Sequence, residues 1–152
     1  MMRDDLPLAV THEVRDRCLC LHLQRAARAI GRQFDEALKP VGLTNGQYSL
    51  LVSLNRPEPP RVGDVARVLA MDRTTLTANL KPLQRRGLLQ VTTDPEDRRG
   101  RRISLTDAGR ELLVRAVPIW RTTHDKIDRL VPVTDADRLR GDLLALTFCE
   151  TG

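Results

Sequence analysis

The chain has 152 residues, enough for one compact subunit, and a net charge of +5 that makes an anionic polymer a plausible partner. Aromatic residues supply only 3% of it, so the core has to come from Leu, Val and Ala on helices. No apolar run approaches the ~20 residues of a membrane span, nothing marks a leader peptide, and three cysteines without a secretory signal point to free thiols in a reducing, cytoplasmic setting.

Residues 1–10 read as a loose arm. A single helix is predicted from Thr11 to Leu38. Leu19, Leu23, Ala26, Ile30 and Phe34 form one apolar stripe, and Val14, Cys18 and Leu21 form a second on another face. One small domain surface cannot cover two faces, so this helix is expected to pack on its own core and on a partner. Pro40 and Gly42 end it. Thr44 and Gln47 have capping-box spacing and open a helix with Gln47, Leu50, Leu51 and Leu54 on one side. Arg56-Pro57-Glu58-Pro59-Pro60 is a stiff connector.

The stretch that follows organises the chain. Val62, Val65, Ala66 and Leu69 share one face of a short helix. Ala70 and Met71 make a turn, and Asp72 caps a second helix with Leu76, Leu80 and Leu83 inward. Pro82 removes one late backbone bond, and Gly87 ends the helix in a left-handed conformation. Leu88–Thr93 and Arg102–Leu105 alternate as strands, with Ile103 and Leu105 on one side. The pattern is a helix-turn-helix followed by a basic β-wing. Four of the five residues from Arg98 to Arg102 are Arg.

From Thr106 a long helix steps through Ala108, Leu112, Ala116, Ile119, Thr123, Ile127 and Leu130, with a kink expected at Pro118 and an end at Pro132. Thr134 is the expected cap of a last helix with Ala136, Leu139, Leu143 and Leu146 inward.

Duplex DNA is the partner this pattern fits. Arg73, Thr74, Thr75, Thr77 and Asn79 offer donors, acceptors and methyl groups suited to base edges, and Lys81 adds charge. Three threonines within four residues are odd for a helix face chosen only for solubility. Arg98, Arg99 and Arg101 suit phosphates or a minor groove. Asp97 is expected to brace the wing by pairing with Arg101, which leaves Arg98 and Arg99 at the tip. A solvated charge run and a winged helix serving only protein contacts are the competing readings. Enzyme readings lack support: the three histidines, His12, His22 and His124, are scattered, and no phosphate loop or catalytic motif is present. Cys18-Leu19-Cys20-Leu21-His22 invites a metal, but on a helix Cys18 and Cys20 point about 200° apart and cannot share one ion. Cys18 and His22 would need further ligands from elsewhere. No metal or cofactor is expected.

Residues Met71–Gln90 (MDRTTLTANLKPLQRRGLLQ) and Asp94–Leu113 (DPEDRRGRRISLTDAGRELL) resemble the MarR family of winged-helix regulators, and the flanking helices are similar to its dimer module. The resemblance implies a mostly α, winged helix-turn-helix subunit. Residues 10–40 and 106–152 would form the dimerisation helices, and residues 44–105 the DNA-binding lobe. It implies a homodimeric repressor on a pseudo-palindromic operator, released by a small lipophilic or aromatic ligand or by oxidation. His22, Arg25, Met71 and Trp120 lie on segments that border the family's ligand pocket, although packing alone accounts for Met71 and Trp120. The Cys20 region resembles that of the family's organic-hydroperoxide sensors. Such a cysteine needs nearby donors or positive charge, for which Arg17 and Arg25 are candidates, and Cys149 would be its resolving thiol.

Overall fold

The computed structural model describes residues 5–131 and 135–148. Its helices are α1 (Leu8–Arg17), α2 (Leu19–Leu38), α3 (Asn45–Ser53), α4 (Val62–Val68), α5 (Arg73–Arg85), α6 (Asp107–Asp128) and α7 (Ala136–Thr147). Strands β1 (Leu89–Thr93) and β2 (Arg101–Leu105) lie between α5 and α6 and pair antiparallel, Val91 opposite Ile103. This is the mostly helical, winged architecture read from the sequence.

Local chemistry sets most boundaries. Thr44 and Gln47 close a reciprocal capping box on α3. Asp72 caps α5 by accepting the Thr75 N–H at 2.8 Å. At the other end of α5, Gly87 adopts φ +70°. The Leu88 N–H then reaches the Leu83 carbonyl and the Gly87 N–H reaches that of Gln84, a Schellman ending. The turn between α4 and α5 repeats that bond pattern without a glycine. Ala70 sits at φ +50°, and the Met71 N–H donates to the Ala66 carbonyl.

The core is a single cluster. Phe34 and Leu38 of α2 meet Leu50, Leu51 and Leu54, Val65 of α4, Leu76, Leu80 and Leu83 of α5, Ile103 and Leu105 of the hairpin, and Leu112 and Ala116 of α6. The connector ahead of α4 docks onto the wing: the Ile103 N–H donates to the Pro60 carbonyl, and Arg61 bridges to Arg102. Gly109 is where α6 crosses the base of the hairpin. A Cβ there would lie 2.1 Å from the Leu88 carbonyl oxygen, so only glycine fits.

Five expectations need correction. Helix begins earlier than Thr11: α1 starts at Leu8, inside the stretch read as a loose arm. Nor is the first helix continuous: Cys18 leaves helical geometry (ψ 103°) and caps α2, its sulfur accepting the Leu21 N–H at 3.4 Å. In α6 the buried face includes Gly109, Leu112 and Leu113, whereas Ala108 is exposed and Leu130 lies beyond the helix end, also exposed. The face of α7 carrying Leu139, Leu143 and Leu146 does not point into the subunit core, and neither α1 nor α7 has a buried residue. Finally, the side chain that caps α7 is Asp135, accepting the Asp137 N–H. Thr134, Pro132 and Cys149 lie outside the described residues. α6 itself is continuous through Pro118.

Candidate nucleic-acid interface

The exposed face of α5 and the tip of the wing converge on a groove of about 530 Å³. Arg73 and Thr77 line it from α5, Gly63 and Arg67 from α4, and Arg99 and Arg101 from the wing. Residues more than twenty positions apart in sequence thus share one cationic concavity. Arg73 and Arg99 have no acidic partner among the described residues. Arg67 pairs with Asp64 at 3.3 Å.

The threonines differ in what they leave free. Thr74 is exposed and its hydroxyl has no partner among the described residues. The Thr77 hydroxyl donates back to the Arg73 carbonyl at 2.8 Å, which leaves its methyl and an oxygen lone pair facing out. Thr75 is committed to the cap: its N–H and its hydroxyl both go to the Asp72 carboxylate, at 2.8 and 2.7 Å. These two bonds hold Asp72 below the usual carboxylate range. The base-reading role expected for the Thr75 hydroxyl therefore competes with helix capping. The Asn79 amide faces the Met71 sulfur, 3.8 Å away. Lys81 is exposed one turn beyond Thr77, outside the groove.

The wing is braced by a different aspartate from the one expected. Asp97 accepts the Arg99 N–H at 2.9 Å, a local turn contact. Arg101 donates to the carbonyls of Arg98 and Gly100 and not to Asp97. The brace is Asp94, the one buried charged side chain of the described core. Arg102 Nε donates to its Oδ1 at 3.0 Å, and the Glu96 N–H donates to the same oxygen. Arg61 Nε lies 2.6 Å from Oδ2, off the line of a hydrogen bond, so that oxygen is held by charge alone. The Glu96 N–H, then the Arg102 and Arg61 guanidiniums, keep Asp94 well ionised, and Asp94 in turn raises Arg102. Sequence reading missed Arg61 and Arg102 because their partner stands 33 and 8 residues away. The visible clue was an aspartate directly after a strand, facing an arginine at the start of the next.

The four residues assigned to a ligand pocket do not meet. His22 and Arg25 line a shallow, open groove on α2 together with Arg28 and Arg32. Met71 lies in the turn before α5. Trp120 belongs to an aromatic cluster with Phe34, Tyr48 and His124, its ring centroid 4.8 Å from that of His124. Cys20 is exposed, and Gln24 Nε2 approaches its sulfur at 3.4 Å. Arg17, one proposed source of charge for Cys20, pairs with Glu13 at 2.7 Å. No group of three or more potential metal ligands occurs among the described residues, and no helix among them is long and apolar enough to cross a membrane.

Comparison with known proteins bears on this geometry. The MarR family model matches residues 43–100, from the start of α3 to the wing tip. The chain is similar to Mycobacterium tuberculosis MosR in complex with DNA, at 38% identity and a TM-score of 0.78, covering 86% of this chain and 94% of that one. It is similar to CouR, solved as a transcriptional repressor on a 23-mer DNA duplex (31% identity, TM-score 0.77, 93% and 97% covered). CouR from Rhodococcus jostii RHA1 is also solved with p-coumaroyl-CoA (25% identity, TM-score 0.73, 86% and 91% covered). The organic hydroperoxide resistance transcriptional regulator of Bacillus subtilis is 32% identical over 71% of this chain and 74% of its own length. The chain spans about half the length of several other curated relatives. These relatives are transcriptional regulators, not enzymes. On this likeness in sequence and in fold, the chain belongs to the MarR family of DNA-binding transcriptional regulators.

Proposed function

We propose that the protein is a homodimeric, cytoplasmic transcriptional repressor that binds a pseudo-palindromic operator and leaves it when a small lipophilic or aromatic anion binds. The observation that carries the DNA reading is the shared groove, where Arg73 and Thr77 of α5 meet Arg99 and Arg101 of the wing. In this reading α5 enters the major groove, Thr74 and Thr77 address base edges, and Arg98, Arg99 and Arg101 address the flanking backbone or minor groove. Lys81 supplies a further phosphate contact. That MosR and CouR are solved in complex with DNA supports DNA as the partner of this groove. The apolar faces of α1 and α7 support a second copy as their cover. Residues 10–40 and 106–152 would then form the dimer module and residues 44–105 the reading lobe, two recognition helices standing roughly 34 Å apart.

The test separates positioning from reading. Arg98→Ala and Arg99→Ala weaken binding to all sequences and flatten the salt dependence by ~0.9 in slope per lost phosphate contact per subunit. Thr74→Ala instead relaxes preference at particular base pairs, at a cost of ~1–3 kcal/mol. Wing variants with the wild-type salt slope and affinity would remove the wing from the interface. Relatives include a repressor and an activatory protein, so the sign is read from a reporter: expression rising on deletion supports repression.

For the effector, the complex of CouR with p-coumaroyl-CoA and the arginines flanking His22 and Arg25 support an anionic ligand. An effector must bind the DNA-incompetent state more tightly, so operator DNA lowers its affinity by the factor it lowers that of DNA. A second reading, peroxide sensing at Cys20, draws on the exposure of that thiol and on the hydroperoxide-regulator relative. It requires that organic hydroperoxide release the operator from wild type and not from Cys20→Ser. Equal responses return Cys20 to a structural role.

A further inference from the structure

Gly63 occupies the second position of α4, with an ordinary helical backbone. It is not among the residues of positive φ, so no conformational demand calls for glycine there. Alanine would ordinarily stabilise the helix at such a site. What Gly63 has is a neighbour. A Cβ built on it would lie 2.8 Å from Nη2 of Arg73, 3.5 Å from its Cζ and 3.6 Å from its Nε. The guanidinium therefore lies against the bare Cα of Gly63 and makes no hydrogen bond or ion pair among the described residues. All five of its N–H donors remain available to a ligand. From this seat Arg73 lines the groove that Arg99 and Arg101 line from the wing.

We propose that Gly63 is a positioning residue for DNA recognition, whose missing side chain seats the Arg73 guanidinium on α4 and aims it into the groove between α5 and the wing. The inference rests on the reading of Arg73 as a DNA contact. Without the seat a long, mobile side chain has to be ordered at the moment of binding, and binding weakens by that ordering entropy. A methyl at position 63 meets the far end of a flexible side chain. The fold gives easily, Arg73 swings away, and the loss falls on DNA affinity and not on folding.

The experiment is a double-mutant cycle on the full chain, reading operator affinity and thermal midpoint for Gly63→Ala, Arg73→Ala and the pair. Arg73→Ala is expected to weaken operator binding roughly tenfold or more. Gly63→Ala weakens it in the same direction by no more than that, while its midpoint stays at or above wild type. In the Arg73→Ala background, Gly63→Ala has no further effect on binding. Arg73→Lys, which lacks the broad planar head that meets the methyl, makes Gly63→Ala nearly neutral. If Arg73→Ala binds as wild type does, the DNA role of Arg73 and the seat both fall. If Arg73→Ala is weak and Gly63→Ala binds normally, the seat alone is overturned. The same holds if Gly63→Ala weakens binding equally with and without Arg73, or lowers the midpoint in proportion to its loss of binding.

Discussion

The central lobe and the chain ends are built from similar residues and fare differently. Leu51, Leu76 and Leu83 are fully buried within the lobe, where α3, α5 and the hairpin enclose them. Leu8, Val14, Leu139 and Leu143 occupy equally regular helices and stay exposed by 37–51%. The difference lies not in hydrophobicity but in what stands opposite each face. The helix-turn-helix and its wing find their covering surfaces within the subunit, between Phe34 and Ile127. The terminal helices have few within the subunit, where α7 is tied to the body by Arg140 reaching Asp128 at 3.1 Å. An apolar stripe therefore reports that a face is meant to be covered, but not by which molecule.

The sharpest way to break this comparison is to charge the terminal face. Leu139→Glu together with Leu143→Glu is expected to convert the protein to monomers by light scattering and abolish tight operator binding. It should also remove any dependence of the thermal midpoint on protein concentration. A monomer that binds the operator at full affinity would show that the ends need no second copy. Leu83→Ala probes the other region. It should cost about 2–5 kcal/mol by denaturant titration, as for a large side chain removed from a packed core, while keeping the concentration dependence that the terminal pair loses. A smaller effect follows from pH. Asp94 and Asp72 are held below the ordinary carboxylate range when folded. Their contribution is complete above the unfolded value of about 3.9 and is lost as pH falls through their lower folded values. The denaturation midpoint should drop on acidification below about pH 4. Asp94→Asn should be less stable at neutral pH and show a shallower acid limb; an unchanged limb would mean that the brace adds no pH dependence.

Where the structure agreed with sequence reading, the signal was short in range. The Thr44 box, the Asp72 cap and the Gly87 ending each depend on atoms within about six residues, and each side chain has one chemistry available for the role. The misreadings are instructive. A thiol is an unusual cap, so Cys18 looked like one more apolar position in a helix that continues its rhythm across the break. Asp97 and Arg101 are close in sequence and opposite in charge, but the turn they sit in sends Arg101 to backbone carbonyls. Of the residues on segments that border the family's pocket, His22 and Arg25 share one groove on α2, while Met71 and Trp120 stand apart from it.

By itself the sequence determined the order and type of the elements from α3 to α6, the helix-turn-helix and the basic wing among them, because caps, turns and periodicity act within a few residues. It also determined the charge carried to the tip of the wing. Tertiary structure decided which charges are spent inside the protein and which remain for a ligand. Arg61, Arg102 and Asp94 come together only when the connector docks on the hairpin, and Arg73 finds Gly63 only when α4 and α5 cross. An arginine in a sequence has the same charge whatever its neighbours. Its availability to DNA depends on whether a carboxylate stands within about 4 Å, and that distance is set by how the elements pack.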